Sequence, residues 1–214
     1  MKVSEQKIQW LKEQALNIYP YGSVVYGTDV DGQSDEDFIV IVGNCHQQFD
    51  AAQWECGNEQ YSIYTVSTWE KKLERHDIDA LECQFLPNYM VIQELHPFDF
   101  QLKTAMLRQS ISGTASNSWV KCKKKLTVPK DFAPRVGKKS LWHALRILQF
   151  GTQLMMHKRI VDYACCNFMY DPIMNSGIDD WGFYKEQYQP IYNSLKSEFK
   201  IAHQRNADSA EELL

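Results

Sequence analysis

The sequence predicts an α+β protein, with an α/β lobe over residues 1–100 followed by an α-helical lobe over residues 101–214. Three observations carry this expectation. Before residue 100, short β-branched and apolar runs bounded by turn residues alternate with stretches of helical periodicity; beyond it, apolar positions recur at helical spacing alone. A third is size: 214 residues, 44% hydrophobic and 13% aromatic, can bury the core that two such lobes need.

Residues 4–18 place Ile8, Leu11, Ala15 and Ile18 at helical spacing behind Ser4 as N-cap, and Tyr19-Pro20 ends that helix. Val24-Val25-Tyr26 and Phe38-Ile39-Val40-Ile41-Val42 read as strands, the second without alternation and so buried on both faces. Gln60 to Val66 reads as another strand, followed by a helix from about Thr68 to His76. Leu81 to Leu86 fits a short strand or the end of an irregular connection. After a linker near Pro97-Phe98, Leu102–Arg108, Asn117–Lys125, Lys138–His157 and Tyr184–His203 read as helices, punctuated by Pro129, Pro134, Pro172 and Pro190. The aromatics from Trp181 to Phe199 read as packing, and the segment from Gln204 onward as a frayed polar tail. There is no internal repeat and no low-complexity tract.

No apolar run approaches the ~20 residues needed to span a bilayer. The first residues lead into an amphipathic helix rather than a signal peptide, so the expectation is a soluble, cytoplasmic protein without membrane contact. Six cysteines show neither a Cys-x-x-Cys pair nor regular spacing and are expected to be reduced, structural thiols. The net charge of -4 hides an asymmetry: residues 1–100 hold 17 acidic against 6 basic side chains, and residues 101–214 hold 17 basic against 10 acidic. That fits complementary surfaces within one globule, and equally an enzyme whose carboxylates hold cations while a second lobe holds phosphates.

The chemistry concentrates in Tyr21-Gly22-Ser23-Val24-Val25-Tyr26-Gly27-Thr28 and Ser34-Asp35-Glu36-Asp37-Phe38. Phosphoryl transfer from a nucleoside triphosphate needs hard oxygen ligands for divalent cations. Asp35 and Asp37, one residue apart at the start of a stiff strand, point to the same side of a sheet. A Gly-Ser turn close by lets backbone N–H groups and a hydroxyl approach phosphates without Cβ interference. One alternative is a solvated acidic turn. A calcium loop is excluded, because an EF-hand counted from Asp29 would need glycine and glutamate where Ser34 and Val40 stand.

In order and spacing, with 12 positions from Ser23 to Asp35, this string resembles the Gly-Ser…Asp-x-Asp pattern of the DNA polymerase β-like nucleotidyltransferase superfamily. Gly27 and Ser34 fall where many members carry glycine and serine. Downstream, Gln60 to Thr65, a helix, and Ala80-Leu81-Glu82-Cys83-Gln84-Phe85-Leu86-Pro87 look like the RNA-ligase-associated subgroup, which has a segment of the type L-E-x-L-F-x-P. Lys139-x-x-x-His143-x-x-Arg146 is similar to that subgroup's K-x-x-x-H-x-x-R signature, and its spacing would place the three on one cationic helix stripe. The bland alternative is two solvated cations and a packing histidine.

The resemblance implies a minimal nucleotidyltransferase lobe, a small mixed β-sheet with flanking helices, followed by a helical lobe, with the triphosphate in the cleft between them. Asp35 and Asp37 would hold Mg²⁺ (or Mn²⁺), and Gly22, Ser23, Gly27 and Ser34 would surround the nucleotide, with Gly22-Ser23 on the β- and γ-phosphates. Lys139, His143 and Arg146 would stabilise charge on the triphosphate or position the acceptor. The superfamily's third carboxylate, general base and metal ligand, falls at Gln60, which can be neither. Glu59 would serve if the register shifts or a bulge re-aims it, Glu82 is the other candidate, and a degenerate site remains open.

Between Trp119 and Arg146 nine basic residues face one acid, Asp131, interrupted by Trp119, Phe132 and Trp142, which suits a phosphate backbone and stacked bases. RNA or tRNA is therefore one candidate acceptor, beside a small molecule or a protein, although the pI of about 5.9 argues against a dedicated nucleic-acid binder. The expected function is transfer of a nucleoside monophosphate from an NTP to an acceptor hydroxyl. The alternatives are a catalytically silent relative that binds nucleotide, RNA or a protein partner, and an interaction module that keeps the fold alone.

Overall fold

The computed structural model describes residues 1–29 and 35–211, so Ser34 lies outside the described residues. The protein is α+β, a five-stranded mixed sheet with flanking helices followed by a helical region. It divides into two compact units, Met1–Gln101 and Leu102–Leu214.

In the first unit, helix α1 (Glu5–Gln14) leads directly into β1 (Ala15–Tyr21), where the sequence suggests one continuous helix. A bulge between Ala15 and Asn17 explains the false signal. It brings Ala15 and Ile18, three apart, into one core, and so mimics helical spacing. Val24-Val25-Tyr26 is not a strand but part of the four-residue helix α2 (Ser23–Tyr26), and burial of Val25 and Tyr26 overrides their β propensity.

Strand β2 (Glu36–Val42) follows, then the hairpin β3 (Ala52–Cys56) and β4 (Glu59–Thr65) across Gly57-Asn58. Gly-Asn between alternating runs was the available sign of that hairpin. Helix α3 (Val66–Glu74) and helix α4 (Ile78–Gln84) come next; Leu81–Gln84 is thus helical rather than extended. The short strand β5 (Gln93–Glu94) completes the order β3-β4-β2-β1-β5, in which β2 and β4 are parallel and the other pairs antiparallel.

The alternation of β2 sorts the sheet into two faces. Val40 and Val42, with Phe38 packed against them, join Ile8 and Leu11 of α1, Ile18, Trp54, Tyr61 and Ile63 in one core. Ile39 and Ile41 face the other side, which α3 and α4 cover and where Tyr19 stacks on Trp69 at 6.5 Å. Asp50 ties the turn before β3 to the start of α3. Its Oδ1 accepts from Thr65 N at 2.8 Å and its Oδ2 from Thr68 Oγ1 at 2.7 Å. Burial pulls the Asp50 carboxyl up, but these donors outweigh it and hold it below its usual 3.8. A carboxyl depressed by folding contributes stability above its unfolded pKa and loses it as pH falls through the folded one. Asp50→Asn is therefore expected to lower Tm at neutral pH, and thermal melts should show that deficit shrinking between about pH 5 and pH 2.

The second unit is helical. The two helices expected around Leu102–Arg108 and Asn117–Lys125 are one, α5 (Thr104–Thr127), because Ile111 and Ala115 are buried and carry the helix through its Ser- and Gly-containing middle. Helix α6 (Pro134–His157) packs on it, followed by the short α7 (Tyr170–Met174) and by α8 (Trp181–Glu211), which runs through Pro190 and well into the predicted tail. Burial of Tyr192, Leu195 and Phe199 outweighs the proline. At Gly151 an added Cβ would lie 2.6 Å from Ile111 Cγ2 and 2.9 Å from Phe199 Cε2, so α5, α6 and α8 meet at a side-chain-free point. None of the six cysteines forms a disulfide. Among the described residues no helix is long and apolar enough to cross a membrane.

Candidate active site on the β-sheet of the first unit

Asp37 lies in β2 between Tyr21 of β1 and Gln60 of β4. Because Phe38 belongs to the α1-side core, Asp37 points to the other face, as does Gln60. Asp35 precedes the strand and is brought to the same edge by Gln60, whose Nε2 donates to Asp35 Oδ2 at 2.8 Å. Asp35, Asp37 and Gln60 therefore form one polar group.

Gly22 closes against it. With φ 74° and ψ -141°, it occupies a conformation that L side chains rarely adopt, and an added Cβ would stand 2.5 Å from Asp37 Oδ2. The absence of a side chain is what lets the Asp37 carboxylate lie on the backbone that begins α2. Ser23 opens this helical turn, and Gly27, at φ 70°, ends it in the left-handed region with its N–H donating to Ser23 O. The structure thus gathers Gly22, Ser23, Gly27, Asp35 and Asp37 into one corner of the sheet.

Beside them is a cavity of about 210 Å³ lined by Tyr21, Asp37, Gln60, Ser62, Tyr64 and Asp79, among others. Asp79, at the start of α4, pairs with Lys72 Nζ at 2.9 Å. Burial draws the Lys72 ammonium down, but the charge of Asp79 overcomes it and leaves Lys72 more basic than usual. Among the described residues no group of three or more His, Cys, Asp or Glu is gathered as a metal site.

Neither candidate third carboxylate joins this group. The register shift that Glu59 needs is absent: the β2–β4 ladder runs unbroken from Glu36↔Glu59 to Val42↔Thr65. Glu59 consequently shares the α1 face with Tyr61, whose hydroxyl donates to it at 2.7 Å, and with Lys12 at 3.9 Å. Glu82 is 1% exposed and accepts from the Tyr26 hydroxyl at 2.5 Å, so it anchors α2 to α4. Tyr26→Phe is expected to remove that anchor and cost roughly 1–3 kcal/mol in chemical denaturation, since a buried carboxylate loses a donor.

The expected cationic stripe is a different object. Lys139 is exposed, but Arg146 is 1% exposed, with its guanidinium 5.0 Å from the centroids of both Trp142 and Phe150. Arg146 Nη2 donates to His143 Nδ1 at 2.9 Å. An arginine can only donate, so this imidazole is neutral and carries its proton on Nε2. Burial, followed by Arg146, Lys139 and Lys121, holds the His143 pKa well below its ordinary value. Helical spacing aligned the three residues, and the packing of α6 then buried the last of them. All three lie in the second unit.

Glu55 and Asp79 also line the cavity without any local motif to mark them; the Gly57-Asn58 turn is the signal in the sequence that places Glu55 opposite Gln60. No protein-family model matches the chain and no curated protein matches it, so the site stands on its geometry.

Proposed function

We propose that the first unit is a metal-dependent nucleotidyltransferase that moves a nucleoside monophosphate from an NTP to an acceptor hydroxyl. The observation that carries this reading is the seating of Asp37 against the side-chain-free backbone of Gly22, with Asp35 held on the same face by Gln60. Two hard carboxylates beside an open helical turn, Asp37 fixed in β2 and Asp35 held just before it, fit Mg²⁺ or Mn²⁺ whose remaining ligands are triphosphate oxygens. A bound cation would neutralise charge on the triphosphate and on the departing pyrophosphate. The chain's own residues supply positioning: Asp35 and Asp37 fix where the phosphates sit, and Gly22-Ser23 keeps the approach to them clear.

RNA is the acceptor that the second unit favours. Of the nine basic residues between Trp119 and Arg146, Lys138 is buried and paired with Asp179 at 2.7 Å, and Arg146 is interior. The other seven reach the surface, with exposed Phe132 among them. A second reading, a silent nucleotide- or RNA-binding relative, is favoured by Gln60 standing as the register partner of Asp37 without a carboxylate.

The test is incubation with each of the four α-³²P-labelled NTPs, Mg²⁺ and total RNA or protein extract, beside the Asp35→Asn/Asp37→Asn variant. Label reaching one acceptor only with intact aspartates supports the transferase. Nucleotide binding without transfer selects the silent relative, and neither binding nor transfer sinks both.

A further inference from the structure

We infer that Glu55 is the general base that takes the proton from the acceptor hydroxyl, a reading that rests on the transferase function proposed above. An attacking hydroxyl must shed its proton as it bonds to phosphorus, and a positioned carboxylate is a fit acceptor for it. Several acids besides the aspartate pair lie around this sheet, and their surroundings separate them: Glu36 shares the face of its register partner Glu59, Glu94 accepts from the Tyr19 hydroxyl at 2.9 Å, and Asp50 is held by Thr65 and Thr68. Glu59 is on the opposite face, bound to Tyr61 and near Lys12. Glu82 is buried against Tyr26. Asp79 lines the cavity, but its carboxylate is paired with Lys72 at 2.9 Å and accepts from Ala80 N at 3.0 Å.

Glu55 differs on each count. In β3 it is the register partner of Gln60, and Gln60 is that of Asp37, so Glu55, Gln60 and Asp37 stand in one row on one face. All three line the same cavity. The Glu55 side chain is exposed, and among the described residues its carboxylate has neither a hydrogen bond nor an ion pair. Its backbone, by contrast, is fixed on both sides. It pairs with Gln60 across the hairpin, while Glu55 N donates to Met1 O and Val3 N donates to Glu55 O, each at 2.9 Å. A free carboxylate on a rigid strand is what proton abstraction requires.

Spacing agrees. One strand, β4, lies between Glu55 and Asp37, and two interstrand spacings set them about 10 Å apart, room for a reacting phosphoryl group and its attacking oxygen. The row also accounts for Gln60, whose amide is committed to Asp35 and can leave the base to the next strand. In the step, a Glu55 oxygen takes the hydroxyl proton as the acceptor oxygen bonds to the α-phosphorus. The bond from that phosphorus to the oxygen bridging it to the β-phosphate breaks, pyrophosphate leaves with the electron pair, and Glu55 returns its proton to water.

The experiment compares wild type, Glu55→Gln, Glu59→Gln and Asp37→Asn. Single-turnover transfer from the four α-³²P-labelled NTPs to total RNA is read beside equilibrium dialysis of each Mg²⁺–NTP. Glu55→Gln is expected to slow transfer about 10²–10⁴-fold while its nucleotide affinity and Tm stay at wild type. Glu59→Gln, on the opposite face of the sheet, should keep the wild-type rate. A wild-type rate in Glu55→Gln beside an inactive Asp37→Asn overturns the base and leaves the transferase standing. Equal losses of rate and nucleotide affinity in Glu55→Gln also overturn it, as the mark of a structural role. Absence of transfer by wild type removes both readings.

Discussion

Asp37→Asn loses nucleotidyl transfer by about 10³-fold or more, while the protein keeps its fold and its cooperative melt. The substitution is nearly isosteric, and it removes the charge that a triphosphate-bound cation would use. Asp37 is only half-buried at the strand's open end, so little packing depends on it. Each tenfold in rate corresponds to ~1.4 kcal/mol, and losing a hard ligand from a site built on two accounts for several of these. The check is single-turnover transfer with α-³²P-labelled NTPs alongside circular dichroism. A folded Asp37→Asn protein that transfers within about tenfold of wild type would end the transferase assignment.

Gly22→Ala is the second large effect, and it acts twice. The backbone there, at φ 74° and ψ -141°, is strained for any L residue, at a cost of about 1–3 kcal/mol. The new methyl group would also start 2.5 Å from Asp37 Oδ2, closer than real Cβ contacts come, and must push the carboxylate or the turn aside. A Tm lower by several degrees is expected, at roughly 2–4 °C per kcal/mol for a chain of this size. Transfer should fall by about 10² or more, since displacing a reacting group by about 1 Å costs that much. Gly57→Ala is the control: its φ is 63°, but nothing lies within 4 Å of the added Cβ. It should lose stability and keep its activity, which isolates the effect of the clash at Asp37. Equal activity in the two variants would show that Gly22 serves only the turn.

Much of the first unit was legible because its signals are local. Phe38 to Val42 forms the buried β2 because an unalternating β-branched run has few other uses, and in the second unit the long apolar period from Lys138 to His157 gave most of α6, though not its first turn at Pro134. The helix–strand boundary at Ala15 was not legible, since a bulge gives a strand the spacing of a helix. Nor was α2, whose β-branched residues turn because Gly22 starts them off the extended path and the core then buries them.

The sequence by itself determined the α+β organisation, the aspartate pair and the Gly-Ser turn before it, because turn chemistry and period-two alternation act over a few residues. Only the tertiary structure decided which side chains share the sheet face with Asp37. Strand register is set by pairing between distant segments, and a shift of one residue would exchange Glu59 for Gln60. Register and packing together turned Glu59 toward α1, buried Glu82 under Tyr26, drew Arg146 into the second unit's interior and left Glu55 in line with Asp37.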